Sequence, residues 1–190
     1  MKAPATISSI QAEDDTRRWL ERAVIGLNLC PFAKAVHAKR QIHYAVYVAR
    51  EDDHVIDALL EQARELLALS PSVRETTLLI APNTLSEFLD FHELAVRAER
   101  RLARDGHEGE LQLATFHPDY RFAGTEAGDI TNATNRAPYP TFHLLREESV
   151  GLAIDAYPDT EDIVDRNLRT LQSLGPDGWK ALDVGPGSMP

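Results

Sequence analysis

Between Thr115 and Glu147 the sequence reads TFHPDYRFAGTEAGDITNATNRAPYPTFHLLRE, and it gathers most of the groups able to do chemistry. His117 is a base, acid or metal ligand with an ordinary pKa near 6.5, and His143 supplies a second imidazole. Arg121, Arg136 and Arg146 carry guanidinium forks that match carboxylate and phosphate, and Asn132 and Asn135 add amide donors. The single cysteine, Cys30, completes the set. If Pro31 opens a helical segment, Cys30 is its N-cap and the helix dipole favours the thiolate. Cys30, His117 and His143 are therefore the candidate catalytic groups, and Arg121, Asn132, Asn135, Arg136 and Arg146 the candidate substrate binders.

Each group has a plainer reading. His117 at a strand end would hold the loop by hydrogen bonds, and Cys30, between Leu29 and Pro31–Phe32, would be a small buried hydrophobe. The arginines would pair with Asp119, Glu126, Asp129 or Glu147 to pin the passage. The same sulfur and ring nitrogens, Cys30 with His117 or His143, also suit a metal or haem iron. Against that, the sequence has no CxxC, HxH or HExxH spacing to organise such a site, so the cofactor stays unknown. Phosphate loops of the GxxxxGK[ST] and GxGxxG types are absent as well.

A passage this long with neither helical nor strand period is uncommon inside a compact domain unless it has a function. Tyr120, Phe122, Ile130, Tyr139 and Phe142 give it material to pack, and Pro118, Pro138 and Pro140 stiffen it, which favours a preformed pocket. The elements that must position it follow from periodicity. Trp19, Leu20, Ala23, Val24 and Leu27 predict a helix from Asp14, after a loose tail over 1–12. Gln41–Ala49, Thr76–Ala81 and Leu111–Phe116 read as strands, alternating with helices over Val55–Leu67 and from a Thr84/Glu87 capping box to Leu102. Phe142–Leu145 is a fourth strand of undetermined direction. Helices over Glu148–Ala156 and Thr160–Leu174 follow, then a Gly/Pro-rich tail over 181–190. This order predicts one α/β domain over 13–180, a mostly parallel sheet of about four strands flanked by helices.

The motifs CPFA (within Asn28–Ala33), FHPDY, NRAPYPTFHLLRE and the ending LQSLGPDGW (Leu171–Trp179) together resemble a bacterial family known as domain of unknown function 1415. The likeness runs roughly from Trp19 to Trp179. It implies a self-standing bacterial domain and brings no activity, substrate or cofactor.

The totals narrow the function classes. A net charge of −10 over 190 residues opposes a nucleic-acid partner, which requires a basic surface. The arginines of 97–104 are interleaved with acids and read as a solvated helix face. No run of 18 apolar residues predicts a membrane span. The N-terminus lacks the apolar core of a signal peptide, and one cysteine forms no internal disulfide, so a cytoplasmic location is expected. The expectation that emerges is a small enzyme acting on an anionic metabolite. Its alternatives are a noncatalytic small-anion binder and a metal or haem protein. Oligomeric state and substrate are not legible.

Overall fold

The computed structural model describes residues 6–156 and 162–187. Four strands form its sheet: β1 (Ile42–Val46), β2 (Thr76–Ile80), β3 (Leu111–Phe116) and β4 (Thr141–Arg146), in the order β1-β2-β4-β3. β1 and β2 pair parallel. β4 enters antiparallel between β2 and β3. The sheet is thus mixed and mostly antiparallel, which corrects the expected mostly parallel one. β1, β2 and β3 do point the same way, as crossover connections require. The passage from His117 to Pro140 then brings the chain back, so β4 returns down the gap between β2 and β3.

Alternation on these strands sorts two cores. α3 (Val55–Ala68) and α4 (Phe88–Leu102) cover one face, where Leu79, Phe142 and Leu144 meet Leu59, Leu66, Phe91 and Ala98. Phe142 and Leu144 are fully buried, and each such side chain stabilises by about 1.5–3 kcal/mol. α1 (Ser9–Trp19) covers the other face, with Trp19, Leu20 and Val24 against Leu78, Ile80 and Tyr44. After Trp19 the helix widens into a π-type segment, Leu20–Ile25, ending on Gly26. A β-carbon at Gly26 would lie 2.2 Å from the Arg22 carbonyl oxygen, so only glycine fits this close approach. α2 (Ala33–Ala38), α5 (Glu147–Ala156) and α6 (Asp162–Ala181) complete the described elements. Gly175 (φ 67°) breaks α6 and Pro176 restarts it, and Leu171 and Leu174 pack on Leu29 and Ala133. Thr160, the expected start of that helix, lies outside the described residues. None of the described helices is long and apolar enough to cross a membrane.

Three local expectations give way. α1 begins at Ser9, capped by the Ser8 side chain, inside the stretch read as a tail. The backbone of Ile7 is held by Asn83 through Oδ1 at 2.8 Å. Asp15, beside the Asp14 at which the helix is expected to start, is an interior helix residue, 3% exposed. Its carboxylate receives Arg18, the Tyr139 hydroxyl at 2.6 Å and the Gly187 amide at 2.9 Å. It thereby ties α1 to the long loop and to the C-terminal stretch. The capping box does not form either: Glu87 stands before α4 without a side-chain cap bond, and Leu85 takes a left-handed φ of 57°.

Candidate active site

The long passage proves to be a loop that uses its own polar groups. His117 is 0% exposed, and its Nδ1 accepts the Asp119 amide at 3.0 Å. Nδ1 must then be unprotonated, so Nε2 carries the proton and donates to the Leu85 carbonyl at 3.0 Å. The ring packs between Phe88 and Phe91. Burial pushes its pKa below the usual value, which fits a neutral ring with both nitrogens engaged. This geometry is the loop-holding arrangement weighed above for a strand-end histidine, with no ring nitrogen left for a substrate. Replacing His117 by Ala should unpin both segments and cost roughly 2–4 kcal/mol of stability, read by urea unfolding.

The candidate binders are spent similarly. Asn132, 0% exposed, accepts from the Phe122 amide and the Thr125 hydroxyl and donates to the Glu126 carbonyl at 2.8 Å. Asn135 donates to the Thr115 carbonyl at 3.0 Å, and its own carbonyl accepts the His117 amide. Arg136 donates to the carbonyls of Tyr120 and Ala127. Asp129 caps the 3₁₀ turn Ile130–Asn135 through Thr131, whose amide and hydroxyl donors hold its carboxyl below the usual range. Arg121 is exposed and has no hydrogen bond or ion pair with the described residues. Arg146 sits at the far end of β4, about 17 Å of strand away from the loop. One of its terminal nitrogens donates to the carbonyls of Leu66, Leu69 and Arg74, closing the C-terminal end of α3. The structure does not bring the three arginines together.

It does bring two of the catalytic candidates to one place. On the α1 face of the sheet lies an apolar cavity of about 360 Å³. Cys30 and His143 both line it, with Trp19, Phe116, Thr76 and, at the side of α5, Ala153. Trp19 and Phe116 meet edge to face, centroids 5.2 Å apart, and the Phe116 and His143 ring centroids are 6.2 Å apart. Strand alternation explains the placement: His143 projects opposite to Phe142 and Leu144, so the one imidazole in an apolar strand points away from the α3/α4 core.

The tautomer of His143 is fixed by Thr76. The Thr76 hydroxyl lies 2.6 Å from Nε2 and 2.6 Å from the Leu144 carbonyl. A hydroxyl has one proton, and the carbonyl can only accept, so Thr76 donates to Leu144 and receives Nε2–H. That leaves the Nδ1 lone pair uncommitted. Burial pushes His143 down to about 4, so the ring is neutral near pH 7.

Cys30 is a half-buried free thiol in the turn that precedes α2. α2 starts at Ala33 with Phe32 before it, so Cys30 is not the N-cap that Pro31 suggested. Its carbonyl accepts the Ala33 amide at 3.2 Å, and its side chain packs on the Trp19 core. Arg146 also borders the cavity, but its side chain projects with Phe142 and Leu144 toward the C-terminal end of α3. Among the described residues no group of three His, Cys, Asp or Glu side chains is placed to hold a metal ion. Cys30 and His143 supply one soft and one borderline donor, two short of a closed zinc site.

Trp19, Thr76, Phe116 and Ala153 were not foreseen as site residues. Thr76, a hydroxyl opening an apolar strand, was the one signal among them that a polar group inside would need it.

The family described as "Protein of unknown function (DUF1415)" matches residues 11–181. The chain belongs to this family. The matched span contains the whole sheet, Cys30, His143 and the cavity walls, so the motifs CPFA and PTFHLLRE contribute the two reactive groups to the lining of one cavity. No curated protein and no solved structure matches the chain.

Proposed function

We propose that the protein is an enzyme for a small organic acid with an apolar body, bound in the cavity that Cys30 and His143 share. The single supporting observation is that these two groups, far apart in the sequence, line the same largely apolar space. Pockets that are apolar with a few convergent polar groups are the usual form of small-molecule sites. In this reading the ligand arrives as a thioester, and Cys30 attacks its acyl carbon. The bare Nδ1 of His143 takes the thiol proton and returns it to the departing thiol, and water then hydrolyses the acyl-Cys30 bond to release the acid. The thiolate and imidazolium formed in the first step stabilise each other in surroundings that solvate neither. The apolar lining receives the hydrocarbon part of the ligand. This narrows the anionic metabolite read from the sequence to one with hydrocarbon to bury.

A second reading is a noncatalytic carrier for the same ligand, favoured by the low pKa of His143, which makes a weak base at pH 7. Aromatic and branched aliphatic acids and their thioesters, titrated against Trp19 fluorescence in a Trp179→Phe background, test both. Saturable quenching that Ala153→Phe abolishes is expected, with thioester turnover lost in Cys30→Ser and His143→Gln. Quenching without turnover leaves the carrier. No quenching by any of these compounds removes both.

A further inference from the structure

We propose a second, polar binding site for a small oxyanion (a phosphate or a carboxylate) in the groove where Tyr44, Arg17, His37 and Arg40 meet. It lies outside the Cys30/His143 cavity and does not depend on the function proposed there. The groove has a volume of about 370 Å³ and is completed by Ala38 and Ile42. Its decisive feature is Tyr44 on the edge strand β1. This side chain is 8% exposed, yet its hydroxyl is buried with no hydrogen-bond partner. Buried hydroxyls are nearly always satisfied, and an orphan one needs an explanation. Burial, with Glu21 and Glu13 nearby, pushes the Tyr44 pKa up to about 12, so the group is a donor at any ordinary pH. A donor without an acceptor, in a groove walled by other donors, is a place for an acceptor from outside.

The other walls agree. Arg17 lies over the Tyr44 ring, its guanidinium carbon 4.1 Å from the centroid. Its Nε and one terminal nitrogen both go to Glu13, leaving the second terminal nitrogen uncommitted. Arg40 follows α2 in a left-handed conformation (φ 56°), and its exposed side chain makes no hydrogen bond or ion pair with the described residues. His37 faces Glu21 at 3.3 Å through Nε2. Two carboxylates thus stand beside the groove, Glu13 opposite Arg17 and Glu21 opposite the His37 ring. Among the described residues, Arg40 is the groove arginine with no carboxylate opposite it. A planar or tetrahedral oxyanion would take the Arg40 fork and the Tyr44 hydroxyl together, which water at an open surface does less well.

The test is isothermal titration of the full chain with inorganic phosphate and, separately, with citrate, together with thermal unfolding. One saturable site is expected for at least one of the two anions, and the anion preferred identifies the source chemistry. Arg40→Gln and Tyr44→Phe should each weaken binding at least tenfold, and Cys30→Ser should leave it unchanged. Tyr44→Phe should also unfold at the same or a higher temperature without ligand, because it deletes an unsatisfied group. That separates lost binding from lost folding. An absence of saturable binding by either anion, or binding equally tight in Arg40→Gln and Tyr44→Phe, overturns the proposal.

Discussion

Replacing Asp15 by Ala is expected to be among the most damaging single changes, costing about 3–5 kcal/mol. The carboxylate is almost wholly enclosed, and the Arg18 side chain facing it is only 10% exposed. Removing one member of a buried pair leaves the other charge uncompensated in a poor solvent for it. Here the loss extends further, because the Tyr139 hydroxyl and the Gly187 amide also lose their acceptor. Arg18 itself reaches the Asp183 and Gly185 carbonyls, so the anchoring of residues 183–187 should fail with it. Urea unfolding monitored by circular dichroism measures the change, and hydrogen exchange at Gly187 measures the local release. Tyr139→Phe, which removes one hydrogen bond and leaves the ion pair, should cost only about 1 kcal/mol. Equal effects of the two variants would contradict this account of the network.

The second large effect is on pH dependence, and it belongs to His143. Its folded pKa is depressed by burial to about 4, against 6.5 for the free side chain. Above pH 6.5 the ring is neutral in both states and contributes no slope. Between 6.5 and about 4 the unfolded chain binds the proton and the folded one does not, so stability falls as pH falls. Below about 4 both states are protonated and the loss is complete, at roughly 3 kcal/mol for an interval of this width. His117 is lowered in the same direction and adds to the same limb. Carboxylates titrate near the acid end of this window, so the comparison is between wild type and His143→Gln. The variant should show a markedly shallower loss from pH 6.5 to 4.5. Parallel curves would mean that His143 is solvated and not enclosed by the cavity wall.

Much of the sheet was legible because its signals are local. Thr76–Ile80 is rich in β-branched and apolar residues and buried on both faces, and β1, β2 and β3 are separated by amphipathic helices, which sets a common direction. The slot taken by β4 was not legible. Phe142, Leu144 and Leu145 would suit an edge or a centre, parallel or antiparallel, and only the return path through 117–140 decides. The loop misled for a related reason. Its histidine, asparagines and arginines have the chemistry of ligands, but a long loop folding on itself must first satisfy its own carbonyls and amides. Asn132 and Arg136 do that work on Phe122, Glu126, Tyr120 and Ala127. Cys30 and His143 were recognisable as reactive types. The cavity joining them was not, since Trp19, Phe116 and Ala153 have the periodicity of ordinary core residues.

The central claim, that Cys30 opens onto an apolar cavity shared with His143, is tested most directly by alkylating the native protein with N-phenylmaleimide in the Trp179→Phe background. One label per chain at Cys30 is predicted, with quenching of Trp19 fluorescence as the phenyl ring enters the cavity and loss of any binding of aromatic acids. Labelling should be faster than with a charged maleimide of the same size. A thiol that reacts only after unfolding, or that reacts equally with both reagents and leaves Trp19 unchanged, would contradict the account.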